Sequence, residues 1–115
     1  MDSLGSSGER AAASYFEKKG FTVLARDLNY GSMGQLDLVC SKSRTLYIIE
    51  VKTRSHKGAY GGPSQAVSRQ QLARLKRCAM RYSQDIGWDG NIRLLLACLI
   101  KTNDYLRMEN IAELF

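Results

Sequence analysis

The sequence predicts an α/β fold, a mixed sheet flanked by helices, on three observations. Helical and strand-like stretches alternate as helix, three strands, helix, strand, strand. Two apolar stretches, Leu36 to Cys40 and Thr45 to Val51, stand either side of a short polar run and read as an antiparallel hairpin. A nearly unbroken apolar run, Ile92 to Ile100, is long enough for a central buried strand, added parallel to a neighbour after the second helix. At 115 residues, 44% hydrophobic and 24% charged, the chain reads as one domain, 1–115, and disorder is excluded as the default.

Each element has a local reason. Ser6-Ser7-Gly8-Glu9 reads as a capping box that opens an Ala-rich helix to about Lys19, with Gly20 as its stop. Phe21 to Ala25 reads as the first strand and Arg26 to Ser32 as a polar turn region. Gly31 and Gly34 flank Met33, a tight bend that sets Gln35 at the mouth of the second strand. Ser68-Arg69-Gln70-Gln71 is a second capping box, and its helix runs to about Tyr82 or Ser83 with Leu72, Leu75, Ala79 and Tyr82 facing the sheet. Asp85 to Gly90 turns the chain before the apolar run. Lys101 to Asp104 turns it again, Tyr105 to Ile111 makes an edge strand, and Glu113 to Phe115 is a tail.

Three ionisable residues break the apolar pattern of the hairpin. Asp37 lies inside its first strand, and Glu50 and Lys52 close its second. Residues two apart share a strand face, so Glu50 and Lys52 project together. If the loop is even-numbered and centred between Ser43 and Arg44, Asp37 pairs with Glu50, with Cβ atoms about 4.5 to 5.5 Å apart. A loop one residue longer or shorter turns Asp37 to the other face, and Ser-Arg is not a favoured tight-turn pair. Opposed carboxylates repel. A divalent cation would give the pair a purpose, since Mg2+ is held by one or two carboxylates with waters and phosphate oxygens.

Net charge is +6, with a pI near 9.4. Val51 to Gln84 holds no acid but carries Lys52, Arg54, Lys57, Arg69, Arg74, Lys76, Arg77 and Arg81, so the positive field belongs to one segment. That suits a polyanion; the plainer reading is a solvated helix face. Ser55 to Pro63 has three glycines and the only proline, the composition of a mobile loop, and includes His56, Lys57 and Tyr60. His56 reads as a solvent-exposed or phosphate-contacting group, and Tyr60 as either a base-stacking or a sheet-packing ring. No apolar run reaches membrane-spanning length, and Met1 to Gly8 is not a signal peptide. Cys40, Cys78 and Cys98 lack metal spacing and read as buried thiols of a cytoplasmic protein.

Asp37, twelve residues, then Glu50-Val51-Lys52 resembles the signature of the PD-(D/E)xK nuclease superfamily. The fuller string, Gly-Gln-Leu-Asp-Leu-Val followed by Ile-Glu-Val-Lys-Thr-Arg, resembles the YraN-like family of bacterial proteins within that superfamily. Gly8-Glu9, Tyr60-Gly61-Gly62-Pro63 and Ala66-Val67 extend the resemblance from about Gly8 to about Ile100. It implies a restriction-endonuclease-like αβββαβ core and a metal-dependent nuclease acting on nucleic acid, DNA before RNA. Asp37, Glu50 and the Val51 carbonyl would ligate Mg2+ (or Mn2+), and Lys52 would position the attacking water. Glu9 is a secondary candidate in this scheme, beside its capping role. Arg54, Lys57, Tyr60, Arg69, Arg74 and Arg77 would hold the nucleic acid. The chain departs from the family pattern at Gln35, where Glu is expected, at Gln71, where Lys is expected, and at Leu95, where Asp is expected.

Two other readings stand beside the nuclease. One is a nuclease-like fold that binds nucleic acid without cutting it, favoured by neutral Gln35, Gln71 and Leu95. The other is a structural or partner-binding domain in which Asp37, Glu50 and Lys52 form an internal ion-pair cluster. A homodimer would suit cleavage of paired strands, although no dedicated interface is visible in the sequence.

Overall fold

The computed structural model describes residues 4–55, 67–103 and 105–114; the side chains described begin at Ser7. The elements are α1 (Leu4–Lys18), β1 (Thr22–Asn29), a 3-10 turn (Gly31–Met33), β2 (Gln35–Lys42), β3 (Thr45–Arg54), α2 (Arg69–Asp85), β4 (Asn91–Thr102) and β5 (Tyr105–Glu113). The sheet order is β1-β2-β3-β4-β5, antiparallel except for the parallel pair β3–β4. This is the mixed, helix-flanked αβββαβ arrangement that the sequence predicts.

The sheet separates two apolar cores. On one face, Ala12, Ala13 and Phe16 of α1 pack with Leu38, Cys40, Ile49, Ala97 and Leu99. On the other, Leu75, Cys78, Ala79 and Tyr82 of α2 pack with Leu36, Val39, Leu46, Ile48 and Leu94, while Leu72 packs at the margin. Burying such side chains contributes about 1.5–3 kcal/mol each, which fixes both helices on the sheet. Gly8 lets α1 seat closely on β3, because a Cβ there would strike Thr53 Oγ1.

The hairpin register matches the expectation. Lys42 pairs with Thr45 and Leu38 with Ile49 across a two-residue loop. Ser43 and Arg44 have φ of 51° and 64°, as a type I′ turn requires, although neither residue favours it. The second capping box is also present: Ser68 Oγ accepts from Gln71 N–H, and Gln71 Oε1 accepts from Ser68 N–H.

Three expectations are corrected. The helix starts at Leu4, which puts Ser6 inside it, so Ser6 and Glu9 do not form a capping box. Residues 26–29 are strand, not turn: β1 continues through Arg26 to Asn29 as an edge strand, its polar side chains exposed. The Glu113 tail extends β5, and Leu114 N–H donates to Leu94 O. His56, Lys57, Tyr60 and the rest of the glycine-rich loop lie outside the described residues. Cys40, Cys78 and Cys98 are buried free thiols. Among the described residues, no helix is long and apolar enough to cross a membrane.

Candidate functional site

The site forms where β2 stops alternating. Leu36 and Val39 belong to the α2-side core, whereas Leu38 and Cys40 belong to the α1-side core. Leu36 and Leu38 should share a face at a period of two, so the strand rotates between them, at Asp37. The opposing strand distorts at the same level. Arg26 pairs with Leu38 and Leu28 with Leu36, which sets Asp27 opposite Asp37, and Asp27 has φ 52°.

On its other side, the β2–β3 ladder ends at Leu38–Ile49, and just past that end Asp37 and Glu50 line one cleft. There the Asp37 side chain replaces the backbone ladder. Its Oδ2 accepts from Val51 N–H at 2.9 Å, and its Oδ1 accepts from Gln35 Nε2 at 3.0 Å. Asp37 is 7% exposed, so both bonds hold a buried carboxylate in one orientation.

Asp37 and Glu50 line a cleft of about 230 Å³ whose other walls are Gly34, Gln35, Gln71, Arg74 and Leu75. Burial first, and then the Asp37 charge, push the Glu50 carboxyl up to about 7, with Lys52 pulling the other way. Lys52 Nζ lies 3.6 Å from Glu50 Oε2. Glu9, also buried, adjoins the same group from α1. Burial, Asp27 and Asp37 push its carboxyl up to about 8, and its Oε1 has no hydrogen-bond partner among the described residues.

The structure therefore brings together Asp37, Glu50, Lys52, Glu9 and Gln35 as the sequence anticipates. Val51 joins them through its N–H. Gln71 and Arg74 form the helix wall of the cleft, and the Gln71 oxygen is committed to the cap. Arg69 and Arg77 are exposed elsewhere on α2, and Arg54 is half-buried in β3. Leu95 packs against the α1-side core, so an acid there would not line this cleft. Asp27 was missed. Its signal is only its place opposite Asp37, which a strand ending at Ala25 conceals.

The donor set suits a hard divalent cation: two neighbouring carboxylates, one of them pushed toward neutral pH by burial first and by the other's charge second. Among the described residues no group of three or more His, Cys, Asp or Glu side chains is arranged to hold a metal. A cation would thus rely on Asp37 and Glu50 and complete its shell with water and substrate oxygens.

Fold and site together define a mixed α/β domain with an acidic pair, one buried and one half-buried, on its sheet and a basic helix across the cleft. The chain belongs to the family described as uncharacterised protein family UPF0102, which it matches over residues 8–111. It is similar to a UPF0102 protein of Beutenbergia cavernae, 44% identical over 70% of this chain and 67% of that protein. A UPF0102 protein of Bacteroides thetaiotaomicron is 34% identical over 97% of this chain and 91% of its own length. One from Syntrophomonas wolfei is 40% identical over 69% and 67%.

Proposed function

We propose that this protein is a metal-dependent nuclease of the PD-(D/E)xK type, hydrolysing phosphodiester bonds of nucleic acid, with DNA the first substrate to test. The observation that carries this is the pairing of Asp37 with Glu50 in one cleft, with Lys52 at 3.6 Å from Glu50. Nothing in strand pairing favours a buried carboxylate beside a half-buried one, whereas binding a divalent cation does.

Asp37 and Glu50 would hold Mg2+ or Mn2+, and the Val51 carbonyl is the third ligand the resemblance implies. When bound, the ion supplies charge neutralisation at the phosphoryl group and lowers the pKa of a water. The chain's own residues do the rest. Val51 N–H and Gln35 keep Asp37 oriented, so its position costs no reorganisation during reaction. Lys52, beside Glu50, orients the attacking water and offsets the charge of the pair. The acid-free segment around α2 holds the polyanion's backbone.

The alternative is a domain that binds nucleic acid without cutting it. Gln35 favours that reading, because its amide is spent on Asp37 where a Glu would add a third acid. A gel assay separates the two. Labelled single-stranded, duplex and branched DNA, and RNA, are incubated with Mg2+ or Mn2+ and either wild type or Asp37→Ala. Metal-dependent products from wild type alone, with most binding retained by Asp37→Ala, are expected. Equal products from both proteins would remove the nuclease proposal, and retarded but intact nucleic acid in both lanes would establish the binding module.

A further inference from the structure

The carboxylates and the basic helix meet at one residue. Arg74 is the only cation lining the Asp37–Glu50 cleft among its described walls. Gly34 sits against its stem: a Cβ on Gly34 would lie 3.6 Å from Arg74 Cβ and 3.9 Å from Cδ. Gly34 has φ 131°, a conformation that only glycine adopts readily, and so the bend before β2 can nest under Arg74 and Cys78. Among the described residues no ion pair or hydrogen bond to the Arg74 guanidinium is found. Arg81, by contrast, is taken up by Asp85 at 3.2 Å and lies over the Tyr30 ring.

A cleft with two carboxylates on one wall and an uncommitted guanidinium on the other fits one kind of occupant. It must be an anion that can also share a cation with the carboxylates, and a phosphodiester does both. Building on the nuclease reading, we propose that Arg74 is a positioning residue for the reacting phosphate. Its guanidinium holds a phosphate oxygen from the helix side, opposite the Asp37 and Glu50 carboxylates that would hold the cation. Arg74, Arg69 and Arg77 are all exposed, but only Arg74 of the three lines the cleft; Arg69 and Arg77 would meet neighbouring phosphates whether or not a metal is present.

Coupling between metal and arginine tests this apart from turnover. Binding of fluorescein-labelled single-stranded and duplex oligonucleotides is titrated by anisotropy for wild type, Arg74→Ala, Arg74→Lys and Arg77→Ala. Each protein is measured in EDTA and in Ca2+, with product formation checked in the same samples. Thermal melting verifies that each variant is folded. Calcium is expected to tighten wild-type binding, and Arg74→Ala to lose about tenfold in Ca2+ but little in EDTA, with Arg74→Lys recovering part of the loss. Arg77→Ala should weaken both conditions alike. An equal loss with and without Ca2+ for Arg74→Ala, no loss at all, or no tightening of wild type by Ca2+ overturns the assignment. Failure of the nuclease reading would instead show as absent cleavage by wild type in Mg2+ and Mn2+, whatever the Arg74 coupling.

Discussion

Replacing Glu50 with Gln should stabilise the metal-free protein above neutral pH and abolish its response to divalent cations. The Glu50 side chain is 19% exposed and faces Asp37, and its carboxyl is pushed from 4.5 to about 7. A raised carboxyl pKa means that the folded state holds the proton more tightly than the unfolded chain does. Stability therefore falls as pH rises from about 4.5 through about 7 and stays low above it. At about 1.4 kcal/mol per pKa unit, ionising Glu50 in place costs about 3 kcal/mol. Glutamine keeps the shape without the charge, so most of that cost disappears, less up to about 1 kcal/mol for the lost pairing with Lys52. For a domain of this size the gain corresponds to a rise in Tm on the order of 10 °C. Melting curves between pH 4.5 and 8.5, in EDTA and in Mg2+ or Mn2+, measure it. The two proteins should converge at the acid end and separate through pH 7. Glu9 titrates in both, so the difference between the curves isolates Glu50. The cation should raise the wild-type Tm, by about 2.7 kcal/mol of stability at a hundredfold excess over Kd, and leave the variant unmoved. Superimposable pH profiles would refute the raised Glu50 carboxyl, and with it the burial and like-charge contact that cause it. A wild-type Tm indifferent to metal would instead favour the ion-pair reading of Glu50 and Lys52.

Two further outcomes test the surroundings of the pair. Gln35→Glu replaces a hydrogen-bond donor 3.0 Å from Asp37 with a third carboxylate. It should cost about 1–3 kcal/mol in EDTA and tighten Mg2+ or Mn2+ binding measured by calorimetry; unchanged affinity would show that Gln35 lies outside the cation's reach. Gly34→Ala forces φ 131° on a side chain and sets its Cβ 3.2 Å from Cys78 Sγ. Urea denaturation should show a loss of about 1–3 kcal/mol, and a neutral result would contradict the tight seating of that bend under α2.

Much of this was legible in the residues. The hairpin register follows from an even loop between two apolar runs, and it brings Asp37 and Glu50 to the same end of the ladder, where both line the cleft. Leu75, Ala79 and Tyr82 declared the buried face of α2 by their spacing. What escaped depended on distant partners. Arg26, Asp27 and Asn29 look like a turn because an edge strand leaves them in water, and only pairing with β2 makes them strand. Asp27 therefore could not be seen as a neighbour of Asp37. Ser6 and Glu9 fit a capping box by local rules, but the extended helix turns Glu9 inward, where burial and Asp27 decide its state. The rotation of β2 at Asp37 has no local signature, since it appears only when two helices claim opposite faces of Leu36 and Leu38.

The strand order also orders events in time. β1, β2 and β3 form a meander closed by short links, whereas the parallel union of β3 with β4 must close over residues 55–90, which include α2. Long closures carry more entropy and form more slowly. The acidic half of the cleft, Asp37 with Glu50, is thus expected to assemble early, before the helix wall that carries Arg74. Its basic half arrives only when the crossover docks. A nascent chain at that earlier stage would hold the carboxylate pair without the opposing guanidinium, and its cleft would be completed only with the final step of folding.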